Sequence, residues 1–280
     1  MSKFVPDVKT TRWVVISPQR IRRPDHTTQT KQTGCPFCAG NESNTPLEVW
    51  RIGGEGLWNK PGWRVRIVPN KYPITDIHEV IIHSPEHAHD IGDLSLEQVQ
   101  LILVAYRTRY LAHKDDGQVM IFCNRGEHAG ASLDHPHSQL VVVPRQINLD
   151  TLLREPINNV VNENNYFMVY CPDFSQWPYE VWIAPKKEKT HFGQIEDDEI
   201  TDLAEILQNT LRKLAGVYSE WVTAKKTFSP VFSYNYYIYH GENWYLRIIP
   251  RLIHRAGFEL GTGLNVNIVD PQEVVDALRA

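Results

Sequence analysis

The sequence predicts an α+β fold made of two similar halves, each an antiparallel sheet with a flanking helix. The segment Glu-Val-Ile-Ile at 79–82, which precedes Pro85, is similar to Glu-Val-Trp-Ile at 180–183, which precedes Pro185. Each segment leads into apolar residues at helical spacing and then into two strand-like stretches, and each half closes on a Pro-Arg pair. This repeat divides the chain into residues 1–150 and 151–280.

Periodicity predicts the helices and strands of both halves. In the first half, Ser95 is suited to cap a helix, and Gln98 three positions later completes a capping box. Residues at helical spacing then follow: Val99, Ile102, Leu103, Tyr106 and Tyr110 in the first half, and Leu203, Ile206, Leu207, Leu211 and Leu214 in the second. The strand-like stretches lie at 119–123 and 139–143, and at 231–240 and 245–249. The tyrosines of the third stretch are expected to form core and cross-strand pairs, with a stacking platform for a base as the alternative.

The bulk composition is that of an ordinary globular protein. The 280 residues are 42% hydrophobic and 22% charged, with a formal net charge of -4. This acidic balance, without clustered Lys and Arg, argues against nucleic acid as a partner. The first residues lack the apolar core of an export signal, and no stretch approaches about 18 apolar residues. We therefore expect no membrane association and a cytoplasmic location.

The run His-Pro-His-Ser-Gln, which begins at His135, carries the most distinctive chemistry of the chain. In an extended strand, His135, His137 and Gln139 would project from one face, roughly 6–7 Å apart. Two imidazoles and an amide suit phosphate chemistry or metal ligation. Aligning the Pro-Arg pairs places Asn243 where the first half has His137, and Tyr245 where it has Gln139. The second half is therefore degenerate, and the histidines are not required to fold the unit.

Cys35 and Cys38 form a Cys-x-x-Cys pair, which is a common half-site for tetrahedral zinc. The other two cysteines lie in separate apolar stretches, so the remaining ligands are expected to be histidines. His87 and His135 are our choices, and spacing alone leaves open His83, His89 and His128. Four protein ligands would close the coordination shell and make one zinc ion mainly structural. Redox chemistry at the cysteine pair is the alternative, although no thioredoxin-like pattern surrounds it.

The ordered motifs of the chain resemble those of the galactose-1-phosphate uridylyltransferase family, which belongs to the histidine-triad superfamily. The resemblance covers nearly the whole chain. Its segments are Ser-Pro-Gln-Arg-Ile-Arg-Arg-Pro at 17–24, Cys-Pro-Phe-Cys at 35–38, Pro-Asn-Lys-Tyr-Pro at 69–73, Ser-Pro-Glu-His at 84–87, Asn-Arg-Gly at 124–126, Gly-Ala-Ser at 130–132 and His-Pro-His-Ser-Gln at 135–139. The family implies two histidine-triad-like halves, one active and one degenerate, and commonly a homodimer.

The resemblance also implies roles for individual residues. It makes His137 the covalent nucleophile and Gln139 its phosphate-binding partner. It places one zinc ion on Cys35, Cys38, His87 and His135. The implied substrate contacts are Asn124, Ser132, Arg20 and Arg23 at phosphate, Asn70 and Lys71 beside the nucleoside, and, on a weaker alignment, Glu259 at the hexose hydroxyls.

The implied activity is that of an enzyme, a nucleotidyltransferase. Neutral imidazole is a competent nucleophile toward phosphorus near pH 7. His137 is therefore expected to take a nucleotide from a nucleoside-diphosphate sugar and pass it to a sugar 1-phosphate, with hexose-1-phosphate uridylyl transfer as the leading case. One alternative is an adenylyl phosphorylase that uses inorganic phosphate on ADP-glucose or a dinucleoside polyphosphate. The other is a zinc-stapled nucleotide-binding module without turnover.

The chain departs from the family in two places that bear on function. Some members carry a second metal on a His-x-His pair of the last core strand, where this chain has Tyr245 and Arg247, so no second metal is expected. Ser138 stands where the galactose enzymes commonly have glycine, and serine there also occurs in the plant ADP-glucose phosphorylase branch. The base, the sugar and the phosphate acceptor are therefore left open.

Overall fold

Two antiparallel sheets and four α-helices make up the described part of the chain, which in this computed structural model is residues 2–8, 12–23, 34–87, 90–149, 152–225 and 231–280. The smaller sheet pairs β1 (Lys3–Pro6) with β2 (Trp13–Ile16). The larger sheet contains β3 (Trp50–Ile52), β4 (Val65–Pro69), β5 (His78–Ile82), β6 (Gln118–Arg125), β7 (His137–Val143), β8 (Val160–Glu163), β9 (Phe167–Tyr170), β10 (Val181–Pro185), β11 (Tyr234–Ile238) and β12 (Leu246–Pro250). The helices are α1 (Leu96–His113), α2 (Asp197–Lys225), α3 (Gly257–Thr262) and α4 (Pro271–Arg279). In these described ranges, no helix is long and apolar enough to cross a membrane.

The two halves share one ten-stranded sheet, in the order β3-β4-β5-β7-β6-β11-β12-β10-β9-β8. The α+β prediction is confirmed, but the sequence suggested a separate sheet for each half. Instead β6 pairs with β11, from Arg125–Tyr234 to Ile121–Ile238. This pairing satisfies backbone groups that two separate sheets would have left at exposed edges. Residues 150 and 151, where the repeat divides the chain, lie outside the described residues.

The start of α1 shows how the first half is held together. Ser95 caps the helix as predicted, because its Oγ accepts from the Gln98 backbone N–H at 3.2 Å. The predicted capping box is wrong in its second part. The Gln98 side chain instead donates to the carbonyl oxygens of Arg64 at 2.8 Å and His83 at 2.7 Å. These carbonyls lie just beyond strand ends and need donors, so Gln98 fastens α1 to the sheet.

The helices pack on one face of the sheet and leave the other face for the site. The main core joins α1, α2 and α4 to alternate strand residues such as Ile81, Leu140 and Tyr236. Tyr234 also lies fully buried in this core, as expected for cross-strand tyrosines. On the opposite face, the second half is filled by a separate aromatic cluster that includes Tyr170, Trp182 and Tyr245.

A buried ion pair lies beside that aromatic cluster. Arg247 donates to both Glu180 oxygens, at 2.8 and 2.7 Å, and the two side chains are only 6% and 0% exposed. Burial alone would lower the pKa of Arg247, but the Glu180 carboxylate outweighs it and raises the pKa above its ordinary value. Trp182 completes the arrangement, since its Nε1–H donates to Glu180 at 2.6 Å. The second half thus uses this face for packing.

Candidate active site

A cavity of about 430 Å³ opens on the free face of the sheet in the first half. Its apolar wall includes Phe37, Val68 and Val80, and its polar lining includes His137 and Gln139. An apolar cleft with a few convergent polar groups is the usual form of a small-molecule site.

His137 is the first residue of β7 and is 7% exposed. Its Nδ1 lies 2.8 Å from the carbonyl oxygen of His135, and a carbonyl can only accept, so Nδ1 carries the proton. Burial lowers the pKa of His137, and the charges of Arg23 and Arg125 lower it further, although the bond to the carbonyl opposes this. The imidazole is therefore neutral near pH 7, with its Nε2 lone pair left to act as a nucleophile.

Gln139 is oriented by a chain of hydrogen bonds through His78. The Ile74 backbone N–H donates to His78 Nδ1 at 2.9 Å, so the neutral ring carries its proton on Nε2. That Nε2–H donates to Gln139 Oε1 at 2.9 Å, and Asn70 Nδ2 approaches the same oxygen at 3.4 Å. Burial lowers the pKa of His78 to about 4, so the ring stays neutral at neutral pH. With its oxygen occupied, Gln139 offers its amide hydrogens to a ligand.

His78 was missed by the sequence analysis. It lies two residues before Val80 on β5, and Val80 pairs with Gln139 on β7. Alternation along β5 puts His78 on the same face as Val80, and that alternation was the available signal. The sequence did not specify that β5 pairs with β7, and this pairing is what brings His78 into contact with Gln139.

His135 does not share a strand face with His137, contrary to the expectation from alternation. β7 begins only at His137, after Pro136. His135 is fully buried and lies next to Ser84 and Cys38. Its Nε2–H donates to the Ser84 carbonyl at 2.8 Å, which leaves Nδ1 as the free ligand atom, 3.7 Å from Cys38 Sγ. Burial lowers the pKa of His135 to about 4, so this ring is also neutral.

Cys35, Cys38, His87 and His135 converge, with their ligand atoms all within 4.8 Å of one another. Cys38 Sγ lies 3.4 Å from His87 Nδ1. Two thiols and two imidazoles are a zinc-type donor set, and a zinc tetrahedron has ligand–ligand edges of roughly 3.3–3.8 Å. The Ser84 carbonyl that holds His135 is the kind of outer partner that orients a metal-ligating histidine. The four residues can therefore hold a metal ion.

The other histidines that spacing left open do not join this group where the structure describes them. His83 is buried on the helix side of the sheet, where its Nε2 lies 3.0 Å from Ser138 Oγ and 3.1 Å from the Tyr106 hydroxyl. His128 lies in the loop after β6 and packs against His254. His89 falls outside the described residues.

The implied substrate-binding residues divide between the cavity and its surroundings. Those that line it are Arg23, Asn70, Lys71 and Ser132. Asn124 follows Cys123, which pairs with Ser138, so Asn124 stands beside His137 on the same face. Arg20 donates at 2.8 Å to the carbonyl of Tyr72, which is itself a residue of the cavity lining. Burial, and then the charge of Arg23, lower the pKa of Arg20.

Two residues lie away from the cavity. Glu259 is on α3, where its Oε2 accepts from the Ala256 backbone N–H at 3.0 Å, and it is not part of the cavity lining of its own chain. Ser138 points to the helix side of the sheet, toward His83. Its difference from glycine therefore involves no direct contact with a base in the cavity.

The galactose-1-phosphate uridyl transferase models match this chain. The N-terminal domain model matches residues 74–143 and the C-terminal domain model matches residues 114–242. The chain is 29% identical to ADP-glucose phosphorylase of Arabidopsis thaliana, over 98% of this chain and 91% of that protein. It is 25% identical to galactose-1-phosphate uridylyltransferase of Thermotoga maritima, over 96% of this chain and 95% of that protein.

The fold agrees with these matches. A crystal structure of the Arabidopsis thaliana ADP-glucose phosphorylase with bound ADP-glucose superposes with a TM-score of 0.76 at 26% identity. The superposition covers 100% of this chain and 98% of that one. Taken together, the two domain models, the relatives matched along almost their full length and the shared fold show that the chain belongs to the galactose-1-phosphate uridylyltransferase family.

Proposed function

We propose that this protein is a nucleotidyltransferase that carries a nucleoside monophosphate on His137 between a nucleoside-diphosphate sugar and a phosphate acceptor. The observation that carries the proposal is that two side chains whose hydrogen-bonding orientations are fixed line the same cavity. His137 has its Nδ1 proton tied to a carbonyl and its Nε2 lone pair free, and Gln139 has its oxygen occupied and its amide hydrogens free.

The first half-reaction forms a phosphorus–nitrogen bond. His137 Nε2 attacks the α-phosphorus of the donor, and the bond from that phosphorus to the bridging oxygen breaks. The electron pair leaves with the sugar 1-phosphate, which needs no proton to depart near neutral pH. Gln139 holds a nonbridging oxygen as negative charge develops, and the positive charge of Arg23 stabilises that negative charge.

The second half-reaction reverses these bonds. A phosphate oxygen of the acceptor attacks the nucleotidyl phosphorus, the phosphorus–nitrogen bond breaks, and His137 is regenerated as a neutral imidazole. Splitting the transfer into two steps makes each displacement easier. Gln139 has no titrating proton to give or take, which suits an acceptor that is already ionised and disfavours water.

Two donors are candidates, each supported by a different comparison. Hexose-1-phosphate uridylyl transfer, within galactose metabolism, is the first, supported by the two domain models and the Thermotoga maritima relative. Phosphorolysis of ADP-glucose is the second, supported by 29% identity to the Arabidopsis thaliana enzyme over 98% of this chain. Two other outcomes are open to the labelling test. The donor is a dinucleoside polyphosphate, or the protein binds a nucleotide without turnover.

The covalent step is tested by incubating the protein separately with radiolabelled UDP-glucose, ADP-glucose and diadenosine tetraphosphate. Label that stays on the protein, acid-labile and base-stable, identifies the donor. His137→Ala should abolish labelling, whereas His128→Ala, at a histidine outside the cavity, should retain it. No label from any donor, with wild type matching His137→Ala, would overturn covalent transfer and leave a binding module. A chase with galactose 1-phosphate or inorganic phosphate then identifies the acceptor.

We further propose that the metal ion is a single zinc held by Cys35, Cys38, His87 and His135. With four protein ligands it would be structural, clipping the cysteine turn to the segment that leads into β7. A metal assay should find about one zinc per chain, lost in Cys35→Ser and kept in Cys171→Ser. Retention of zinc in Cys35→Ser would contradict this assignment.

The organisation of the whole protein completes the proposal. We propose a homodimer and two histidine-triad-like halves at 1–150 and 151–280, with the hexose contact of Glu259 still a prediction. A cytoplasmic location is supported by the cysteines, since none of the four forms a disulfide, as is usual in a reducing compartment. Sedimentation measurements test the dimer, and a monomer at micromolar concentration would contradict it.

A further inference from the structure

One row of side chains runs across the join between the two halves, on the face that carries the cavity. His137 on β7 stands beside Asn124 on β6, and Asn124 pairs with Asn235 on β11. Asn124 and Asn235 are both half-buried. Asn235 belongs to the second, degenerate half of the chain. It is nevertheless adjacent to Asn124, which is in turn adjacent to the nucleophile His137.

The hydrogen bonds of this row fix both amides. Asn235 Nδ2 donates to the Ala129 carbonyl at 2.9 Å, and because a carbonyl can only accept, this end of the Asn235 amide must be the NH₂ group. The same NH₂ group donates its second hydrogen to Asn124 Oδ1 at 2.8 Å. The Asn124 atom that faces Asn235 must therefore be its oxygen, and its own NH₂ group is turned away from Asn235.

We propose that Asn235 is a positioning residue that sets the amide of Asn124 so that the Asn124 hydrogens serve the phosphoryl group transferred to His137. This inference rests on the proposed function and adds to it a residue from the second half. An asparagine amide can turn over by half a rotation with little change in shape, and a turned Asn124 would present an oxygen to phosphate oxygens. Asn235 and the Ala129 carbonyl together exclude that orientation.

The arrangement is the counterpart of the one at Gln139. There a backbone N–H acts through His78 to occupy the oxygen of Gln139, and here a backbone carbonyl acts through Asn235 to occupy the oxygen of Asn124. In both cases a backbone group, whose role cannot reverse, decides which end of an amide meets the substrate. The degenerate half has lost the histidine chemistry, but it supplies this one amide across the joined sheet.

The test measures the rate constant for nucleotidyl-enzyme formation in Asn235→Ser, Asn235→Ala and Asn235→Asp. Serine offers one donated hydrogen, and alanine and ionised aspartate offer none. We expect the rate to follow the number of hydrogens, with Asn235→Ser closest to wild type and Asn235→Asp slowed about tenfold or more, although aspartate matches asparagine in size. A side chain that only filled space would give the opposite order for serine and aspartate.

A double-mutant cycle then shows whether Asn235 acts through Asn124. Asn124→Ala is expected to slow the step roughly 100-fold, as for loss of one donor to developing charge. Adding Asn235→Ala should slow it little further, because the group that Asn235 orients is already gone. If the losses of the two single variants multiply in the double variant, the inference is overturned, since the two residues would then act independently.

The control is Asn267→Ala, which removes another second-half amide that donates to two backbone carbonyls, those of Ser175 and Trp177, away from the cavity. It should leave the rate within about twofold of wild type. If Asn235→Asp reacts as fast as wild type, the inference fails while the proposed function stands. If wild type takes no label from any donor, the proposed function fails and this inference fails with it.

Discussion

His78 should make the folded protein less stable in mild acid, and replacing it should remove part of that sensitivity. The side chain is 4% exposed, accepts from the Ile74 backbone N–H and donates to Gln139. Burial lowers the pKa of His78 from its ordinary value of 6.5 to about 4. The unfolded chain therefore takes up a proton in a pH range where the folded chain does not.

The sign and size of the effect follow from these two pKa values. The stability that neutral His78 contributes is fully present above pH 6.5, is lost as the pH falls from 6.5 toward 4, and falls no further below that. Each pKa unit corresponds to about 1.4 kcal/mol, so at about pH 4.5 the loss is about 2–3 kcal/mol. His78→Gln removes this titration and can still donate to Gln139.

The assay is urea unfolding of wild type and His78→Gln at about pH 7.5 and about pH 4.5. The free energy of unfolding of wild type should fall by about 2–3 kcal/mol more than that of the variant between the two pH values. The other buried histidines titrate in both proteins, so their contributions cancel in the comparison. Equal losses in the two proteins would refute the reasoning that His78 is held neutral by burial.

Two further predictions concern the frame around the site. Glu180→Gln should lower the free energy of unfolding by about 3–5 kcal/mol, because it leaves buried Arg247 uncompensated. Glu97→Gln, at an ion pair whose side chains are 41% and 68% exposed, should cost far less in the same urea titration, and equal costs would contradict the burial argument. Gly126→Ala should cost at least about 2 kcal/mol by calorimetry, since φ is +81° and the new Cβ would overlap the Ser233 side chain and lie 3.1 Å from the Ser233 Cα. Gly130→Ala, at φ +75° with nothing within 4 Å, should cost only about 1 kcal/mol, and the reverse order would refute the steric reasoning.

The sequence predicted the parts of the site whose chemistry is carried by residue type and spacing. Cys35, Cys38, His87 and His135 converge as predicted: the Cys-x-x-Cys spacing indicated two ligands, and the resemblance to the family singled out the two histidines among those that spacing left open. His137 and Gln139 share a face of β7, because alternation needs only a local strand. The repeat likewise predicted the α+β class, since it rests on patterns within each half.

What the sequence did not predict depends on which distant segments become neighbours. His78 gains its role only because β5 pairs with β7, and Asn235 only because β6 pairs with β11. The joined sheet has the same origin, because the choice of edges that pair is made by packing. The smaller errors arise where a neighbouring residue or an unpaired carbonyl overrides the pattern read from the sequence. Pro136 separates His135 from β7, and Gln98 serves two strand-end carbonyls instead of its own cap.

The most direct test of covalent transfer is tandem mass spectrometry of the protein after reaction with its donor. Proteolysis under basic conditions preserves the phosphorus–nitrogen bond and yields a peptide that contains both His135 and His137. Fragmentation should place the nucleotidyl group on His137 alone, because His137 lines the cavity and holds its proton on Nδ1, which leaves Nε2 unprotonated, while the Nε2–H of His135 is bonded to Ser84. A nucleotide on His135, on another residue or on none would contradict the account.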